Sequence, residues 1–300
     1  MEAMSAYASL VTPANGIAAL LTLLPYLAAA FFPELVIARV QALPHAIKLL
    51  SPALLCVPYI LVAIPAGDFH WQACTLYAAF PVCMAVLLWQ AAQLDSAARG
   101  NWRDFLLLII LGLSVDLRWF ESAWPAHLAI FNKILLLDAG IYGFVLVRRL
   151  DGIGFDLRLR IPDLAIGLRE TAFYTPIALF LGLGLGFLHL HRTWPGVLPI
   201  AGAWLFTFFF IAVPEELFFR GWLQNLLERR IGRTPSLLLT AALFGLAHFN
   251  KRAAHFNWRY VLLAAIAGLF YGRAWRRNRR VGASAVTHAT VDALWSLWLR

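Results

Sequence analysis

Long apolar runs constrain this chain more than any other feature. A helix needs about 20 mostly apolar residues to cross the hydrocarbon core of a bilayer. Runs of that kind extend over Gly16 to Phe32, Leu49 to Pro65, Ala73 to Ala92, Phe105 to Phe120 and Pro125 to Val147. Further runs extend over Thr171 to Leu190, Gly196 to Val213, Ser236 to Phe249, Tyr260 to Trp275 and Gly282 to Leu299. They are continuous stretches of Leu, Ala, Phe and Ile, not short alternating segments, so the expected spans are helices and not barrel strands. Some are short or polar enough to be re-entrant or interfacial, and eight to ten membrane helices are expected. Only 14% of the 300 residues are charged, against about 25% in an ordinary soluble domain. Mean hydropathy is +0.72. These values exclude an ordinary cytosolic enzyme, a disordered chain and a collagen-like fibre. The expected fold is all-α and polytopic.

The net charge is +9. In a soluble domain such an excess points to nucleic acid. Here the basic residues stand between apolar runs, as they do in the cytoplasmic loops of membrane proteins, so the expected partner is the lipid bilayer and no nucleic acid. The longest polar stretch, Arg148 to Glu170, divides the chain into residues 1–150 and 151–300. Arg148 to Arg169, "ERRIGR" (Glu228 to Arg233) and "RAWRRNRR" (Arg273 to Arg280) are expected to be cytoplasmic, in a bacterial-type inner membrane. The basic loop Lys251 to Arg259 falls opposite them in a simple count of crossings, a conflict that a re-entrant or tilted element near Phe249 would resolve. Met1 to Asn15 lacks a basic n-region and a clear cleavage site, so the first run is expected to remain as a span. Cys56, Cys74 and Cys83 have no metal-type spacing and read as packing residues.

Ionisable groups inside apolar runs are expensive and tend to mark function. Three clusters stand in the second half. In "VPEELFFRGW" (Val213 to Trp222) adjacent residues on a helix point about 100° apart, so Glu215 and Glu216 cannot both face one small site. Glu216 and Arg220 share a face in the favourable order and can neutralise each other. Glu215, left without a local partner, is suited to general acid–base work or simply reaches headgroup water. Pro214 fits the first turn of a helix. In "LFGLAHFN" (Leu243 to Asn250), Phe244 lies one turn before His248, which reads as a hydrogen-bonded core histidine or a catalyst. In "ASAVTHATVDALW" (Ala283 to Trp295), His288 and Asp292 share a face, as an intrahelical pair or part of a site. Together, two histidines and two carboxylates are the components of a hydrolytic centre. In the first half, Asp116, Arg118, Lys133 and Asp138 read as span-end or inter-helix pairs, with Lys133 and Asp138 loosely matched, or else as substrate contacts. His45, His70 and His127 read as interfacial, and His189 and His191 form a weak metal-like pair.

The three clusters resemble the motif set of the CAAX protease and bacteriocin-processing family of intramembrane proteases. That family has Glu-Glu-x-x-x-Arg, Phe-x-x-x-His and His-x-x-x-Asn or Asp, each on a membrane helix. Here they read Glu215-Glu216-Leu-Phe-Phe-Arg220, Phe244-Gly-Leu-Ala-His248 and His288-Ala-Thr-Val-Asp292, and the resemblance covers roughly Leu164 to Arg300. It implies helices enclosing a water-filled intramembrane cavity and an endopeptidase acting near the C-terminal or membrane-proximal part of a protein or peptide. Glu215 matches the catalytic glutamate, activating water together with His248. Glu216 and Arg220 match a structural ion pair, and His288 and Asp292 match the pair credited with stabilising the oxyanion. The prenyl-protein branch usually has Asn where this chain has Asp292. Either Asp292 is protonated, or it orients His288, or the site holds a metal. The expectation is a glutamic mechanism with no cofactor, with zinc held by the same residues as the alternative. The pocket is expected to open toward the basic, cytoplasmic side. A non-catalytic transporter or immunity protein is the reading from another class, although no paired half-repeat supports it.

Overall fold

The computed structural model describes residues 12–191, 194–251 and 255–299. The expectation for the first residues therefore lies almost wholly outside the described residues, as does part of the loop after Lys251. The described residues form eleven helices and no strand. They are α1 (Pro13–Phe31), α2 (Pro33–Gln41), α3 (His45–Ala66), α4 (Trp71–Leu94), α5 (Trp102–Asp116) and α6 (Ile130–Val147), then α7 (Ile161–Gly184), α8 (Val197–Ile231), α9 (Arg233–Leu246), α10 (Trp258–Asn278) and α11 (Val281–Trp298).

Six of these, α1, α3, α4, α6, α7 and α8, are long and apolar enough to cross a membrane, fewer than the eight to ten expected. The shortfall has local causes. At 1.5 Å per residue, α5 and α9, with 15 and 14 residues, reach only about 20 Å, less than the ~30 Å hydrocarbon core. In α10 and α11 the apolar character is diluted by Arg259, Arg273, His288 and Asp292. Large apolar side chains lie bare on the helix faces, among them Leu20, Phe180 and Leu198 at 69%, 79% and 84% exposure. In water such a surface would drive association, whereas in a bilayer it is the lipid-facing side.

The chain forms two compact units, residues 1–150 and 151–300. The first has an aromatic core in which Tyr59, Tyr77, Trp124 and Phe131 pack ring on ring. Its polar tips satisfy one another: the Trp124 indole N–H donates to the Tyr77 hydroxyl, which donates to Asn132 Oδ1. Cys56 and Cys74 pack against this core and Cys83 is exposed. His45, His70 and His127 are exposed. The charges pair differently from expectation. Lys133 and Arg118 both lie near Glu121, at 3.7 and 3.8 Å. Asp138, five residues from Lys133 and so turned away from it, is buried with neither oxygen hydrogen-bonded.

In the second unit α7 starts at Ile161, ten residues before the apolar run that announced it. Pro162 stands in its first turn, where a missing N–H costs nothing, and Asp163 accepts a hydrogen bond from the Arg160 backbone N–H. The polar stretch is thus half helix. Its other half, residues 151–160, lies against the start of α11. Gly154 has φ +72°, and a Cβ there would come within 1.8 Å of the Arg279 carbonyl, so only glycine allows this approach. The Val281 N–H donates to the Gly154 carbonyl. Arg280 donates to both oxygens of Asp163 and to Asp156. These bonds fix where α11 begins.

Candidate active site

α8 carries the first cluster at mid-length. Pro214 does not start a helix as expected but lies inside this 35-residue one. A proline there cannot donate to the carbonyl four residues back. The backbone answers with π-helical turns on both sides of Val213–Glu216, at Phe208–Ala212 and Leu217–Gln224, a distortion frequent at functional sites.

α9 and α10 bring the second cluster to the first. They pack through small residues, as closely approaching membrane helices do: Ala241 and Gly245 on α9 meet Gly268 and Ala265 on α10. The absent side chain of Gly268 also leaves room for Arg220, whose Nη2 donates to the Gly268 carbonyl at 3.0 Å. Phe244, one turn before His248, lies under the Arg220 guanidinium at 4.6 Å. Its ring also contacts both imidazoles, with centroids 4.9 Å from His248 and 5.6 Å from His288. His288 also stacks on Tyr271 at 4.7 Å. The two histidines are thus gathered around one phenyl ring.

Glu216 and Arg220 are both fully buried and pair at 3.1 Å, as the helix spacing predicts. The spacing does not reveal that the same Glu216 oxygen accepts from His288 Nδ1 at 2.9 Å, across 72 residues. A carboxylate only accepts, so Nδ1 carries the proton and Nε2 is the nitrogen turned elsewhere. Nε2 lies 3.5 Å from Asp292 Oδ2 and 3.9 Å from Glu215 Oε2. The first contact His288 makes is therefore with Glu216, and Asp292 stands on the opposite side of the ring. His248 is fixed the same way. Its Nδ1 donates to the Phe244 carbonyl at 2.8 Å, which leaves Nε2 as the ring's free nitrogen.

Glu215 faces away from Arg220 and is 27% exposed. Its Oε1 lies 3.8 Å from Lys251 Nζ, a lysine that the sequence marked only as a topological charge. Its Oε2 is buried with no hydrogen-bond partner in the protein. Beside the cluster, between α7, α10 and α11, is a cavity of about 80 Å³. It runs from Tyr271, His288 and Asp292 past Tyr174 and His248 to Phe187, Trp295 and Leu299. These outer residues belong to the helix ends remote from "ERRIGR" and "RAWRRNRR", so the lining is not at the basic end, where the pocket was expected to open. A zinc ion would need three donors turned to one point. Among the described residues no three His, Cys, Asp or Glu side chains are so disposed. His189 and His191 are exposed.

No curated protein and no solved structure matches the chain. A family model does, over residues 197–294, and its description is type II CAAX prenyl endopeptidase Rce1-like. The matched stretch contains Glu215, Glu216, Arg220, His248, His288 and Asp292. With six membrane-competent helices in the same chain, the chain is an integral membrane protein whose residues 197–294 match the model of this Rce1-like family of CAAX endopeptidases.

Proposed function

We propose that the protein is an intramembrane endopeptidase in which Glu215 and His248 activate water against a peptide bond. The observation that carries this reading is the Glu215 carboxylate. It is part-exposed at the edge of a buried ion cluster, and its Oε2 has no hydrogen-bond partner in the protein and lies 3.9 Å from His288 Nε2. Such an oxygen is free to take a proton from water as the water attacks the carbonyl carbon. His248, with Nδ1 held by a backbone carbonyl, presents Nε2 as a second acceptor for the same water. Lys251 steadies the Glu215 charge from the outer side.

His288 takes the electrophilic role. Glu216, itself neutralised by Arg220, fixes the ring through Nδ1, so Nε2 is aimed without rotational freedom. A proton on Nε2 then faces the position where the carbonyl oxygen gains charge. Asp292 and Glu215 on the same side favour that protonated form by charge complementarity. After attack, the proton held by Glu215 passes to the departing amine. The products are a carboxylate and an amine, with one water consumed and no acyl-enzyme. The arginine-rich helix ends are cytoplasmic by the positive-inside rule, in a bacterial-type inner membrane. That rule does not carry the cavity to the cytoplasmic side, because the cavity lining comes from the opposite ends.

The test is cleavage by purified protein in lipid of membrane-anchored peptides with varied C-terminal sequences, read by mass spectrometry of the products. Incorporation of one ¹⁸O from labelled water into the new carboxylate, with activity kept in phenanthroline, is expected. Activity that is lost with the chelator and restored by zinc would overturn the glutamic mechanism. No cleavage of any peptide by folded protein would favour the non-catalytic reading.

A further inference from the structure

The arginine-rich end of the second unit is not a flat charged surface. Arg169 on α7, Arg233 at the start of α9, and Arg273, Arg276 and Arg277 near the end of α10 line an open recess of about 400 Å³, with Glu170 as the sole acidic lining residue. The positive-inside rule asks for charge at this end but not for guanidinium groups gathered around a hollow. Their compensation is incomplete. The buried Glu170 is shared by Arg169 at 2.7 Å and Arg273 at 3.2 Å. Arg276 is committed to Glu228, the Arg233 carbonyl and Ser236. Arg233 and Arg277 are exposed and have no carboxylate partner among the described residues. The first turn of α9 begins at Arg233, so the positive end of a 14-residue helix adds to the same rim.

We propose that this recess binds a phosphate group, and that the membrane supplies it as the headgroup of an anionic phospholipid. Guanidinium forks match phosphate oxygens in pairs, and basic recesses between membrane helices at the cytoplasmic face suit such headgroups. The surface leading away from the recess into the bilayer is apolar in the right register. Phe173, Ile177 and Phe180 follow Arg169 at four, eight and eleven residues, which keeps them on one face of α7, and all three are exposed, at 52%, 39% and 79%. On α9, Leu238 and Leu239 are likewise bare. A headgroup held by the arginines would lay its acyl chains along these residues.

The test compares thermal midpoints of the full chain in detergent with added phosphatidylglycerol, phosphatidylcholine, or inorganic phosphate. Phosphatidylglycerol should raise the midpoint by several degrees over phosphatidylcholine. The double variant Arg233→Gln/Arg277→Gln should lose more than half of that gain, because it removes the two uncompensated guanidiniums without stripping Glu170 of its partners. Arg259→Gln, at the other end of α10, should keep the gain. If inorganic phosphate alone gives the full gain, the phosphate site stands but its source is soluble. Native mass spectrometry of the unaltered protein offers a check that needs no variant to fold: one or two phosphatidylglycerol molecules should survive delipidation. No gain over phosphatidylcholine, no retained lipid, or equal losses in the double variant and in Arg259→Gln would overturn the proposal.

Discussion

Each unit of the molecule buries an arginine among carboxylates, and the two clusters are built to different ends. In the first unit Arg148 donates to Asp104 at 2.9 Å and to Asp95 at 2.7 Å, and Asp104 also accepts from the Asn101 N–H at the start of α5. The acceptors are filled, the partners are Asp95 at the end of α4 and Asp104 in the first turn of α5, and the cluster ties α4, α5 and α6 together. In the second unit Arg220 meets one carboxylate, Glu216, and that carboxylate passes its other contact to His288. The adjacent Glu215 keeps an oxygen with no hydrogen-bond partner, 3.9 Å from the His288 Nε2. A closed cluster holds helices in place, whereas an open one holds a side chain in readiness. The difference is in what remains unpaired and not in the number of charges buried.

The largest expected effect tests this contrast directly. Removing one partner of a buried pair leaves the other charge uncompensated, at a cost of about 3–5 kcal/mol. Arg148→Met and Arg220→Met should therefore both lower the thermal midpoint strongly. Cleavage per folded molecule should fall only in Arg220→Met, because only there does the loss release Glu216 from its task of holding His288. Equal activity losses in the two variants would erase the distinction.

A smaller effect concerns the segment that positions α11. Burial raises the Asp156 carboxyl, but hydrogen bonds from Arg158 and Arg280 outweigh it and bring the group down to about 2. A carboxylate lowered on folding contributes stability above its unfolded value, and this contribution is lost as pH falls through the folded value. From 3.8 to about 2 it amounts to ~2 kcal/mol. Asp156→Asn should be less stable than the parent by about that amount at pH 7, and the gap measured by denaturant titration should close between pH 4 and pH 2. A gap independent of pH would mean that Asp156 acts by packing alone.

Least in size is a gain. Asp138 is buried in the first unit with no hydrogen bond to either oxygen. Asp138→Leu should raise stability by about 1 kcal/mol, read as a higher thermal midpoint. A loss would show that the carboxyl has a partner in the membrane-embedded protein and belongs with the open kind of cluster.

The helical class was legible because every long apolar run forces the backbone to satisfy itself. The Glu216–Arg220 pair was legible because four residues is one turn. What escaped was whatever depends on distant chain. Glu216 to His288 spans 72 residues, and no local rule links them. Lys251 looked like a marker of topology because its loop was basic, yet it approaches Glu215. Pro214 read as a helix start because that is where proline is cheapest; π-helical turns let it sit mid-helix. α7 began early because Pro162 and Asp163 form an ordinary helix start inside a stretch that looked too polar to be one. Of the eight to ten crossings expected, six are long and apolar enough by length and composition, because run length was read without asking which apolar helices end short, as α5 and α9 do.

The most direct measurement is cleavage by Glu215→Gln and Glu216→Gln, each beside the yield and thermal midpoint of the folded protein. Glu215 has its unpartnered oxygen outside the ion cluster, so Glu215→Gln should fold as the parent does and cleave at least a hundredfold more slowly. Glu216→Gln should lose stability first, since Arg220 is then buried without its counter-charge. Full cleavage by Glu215→Gln would contradict the account.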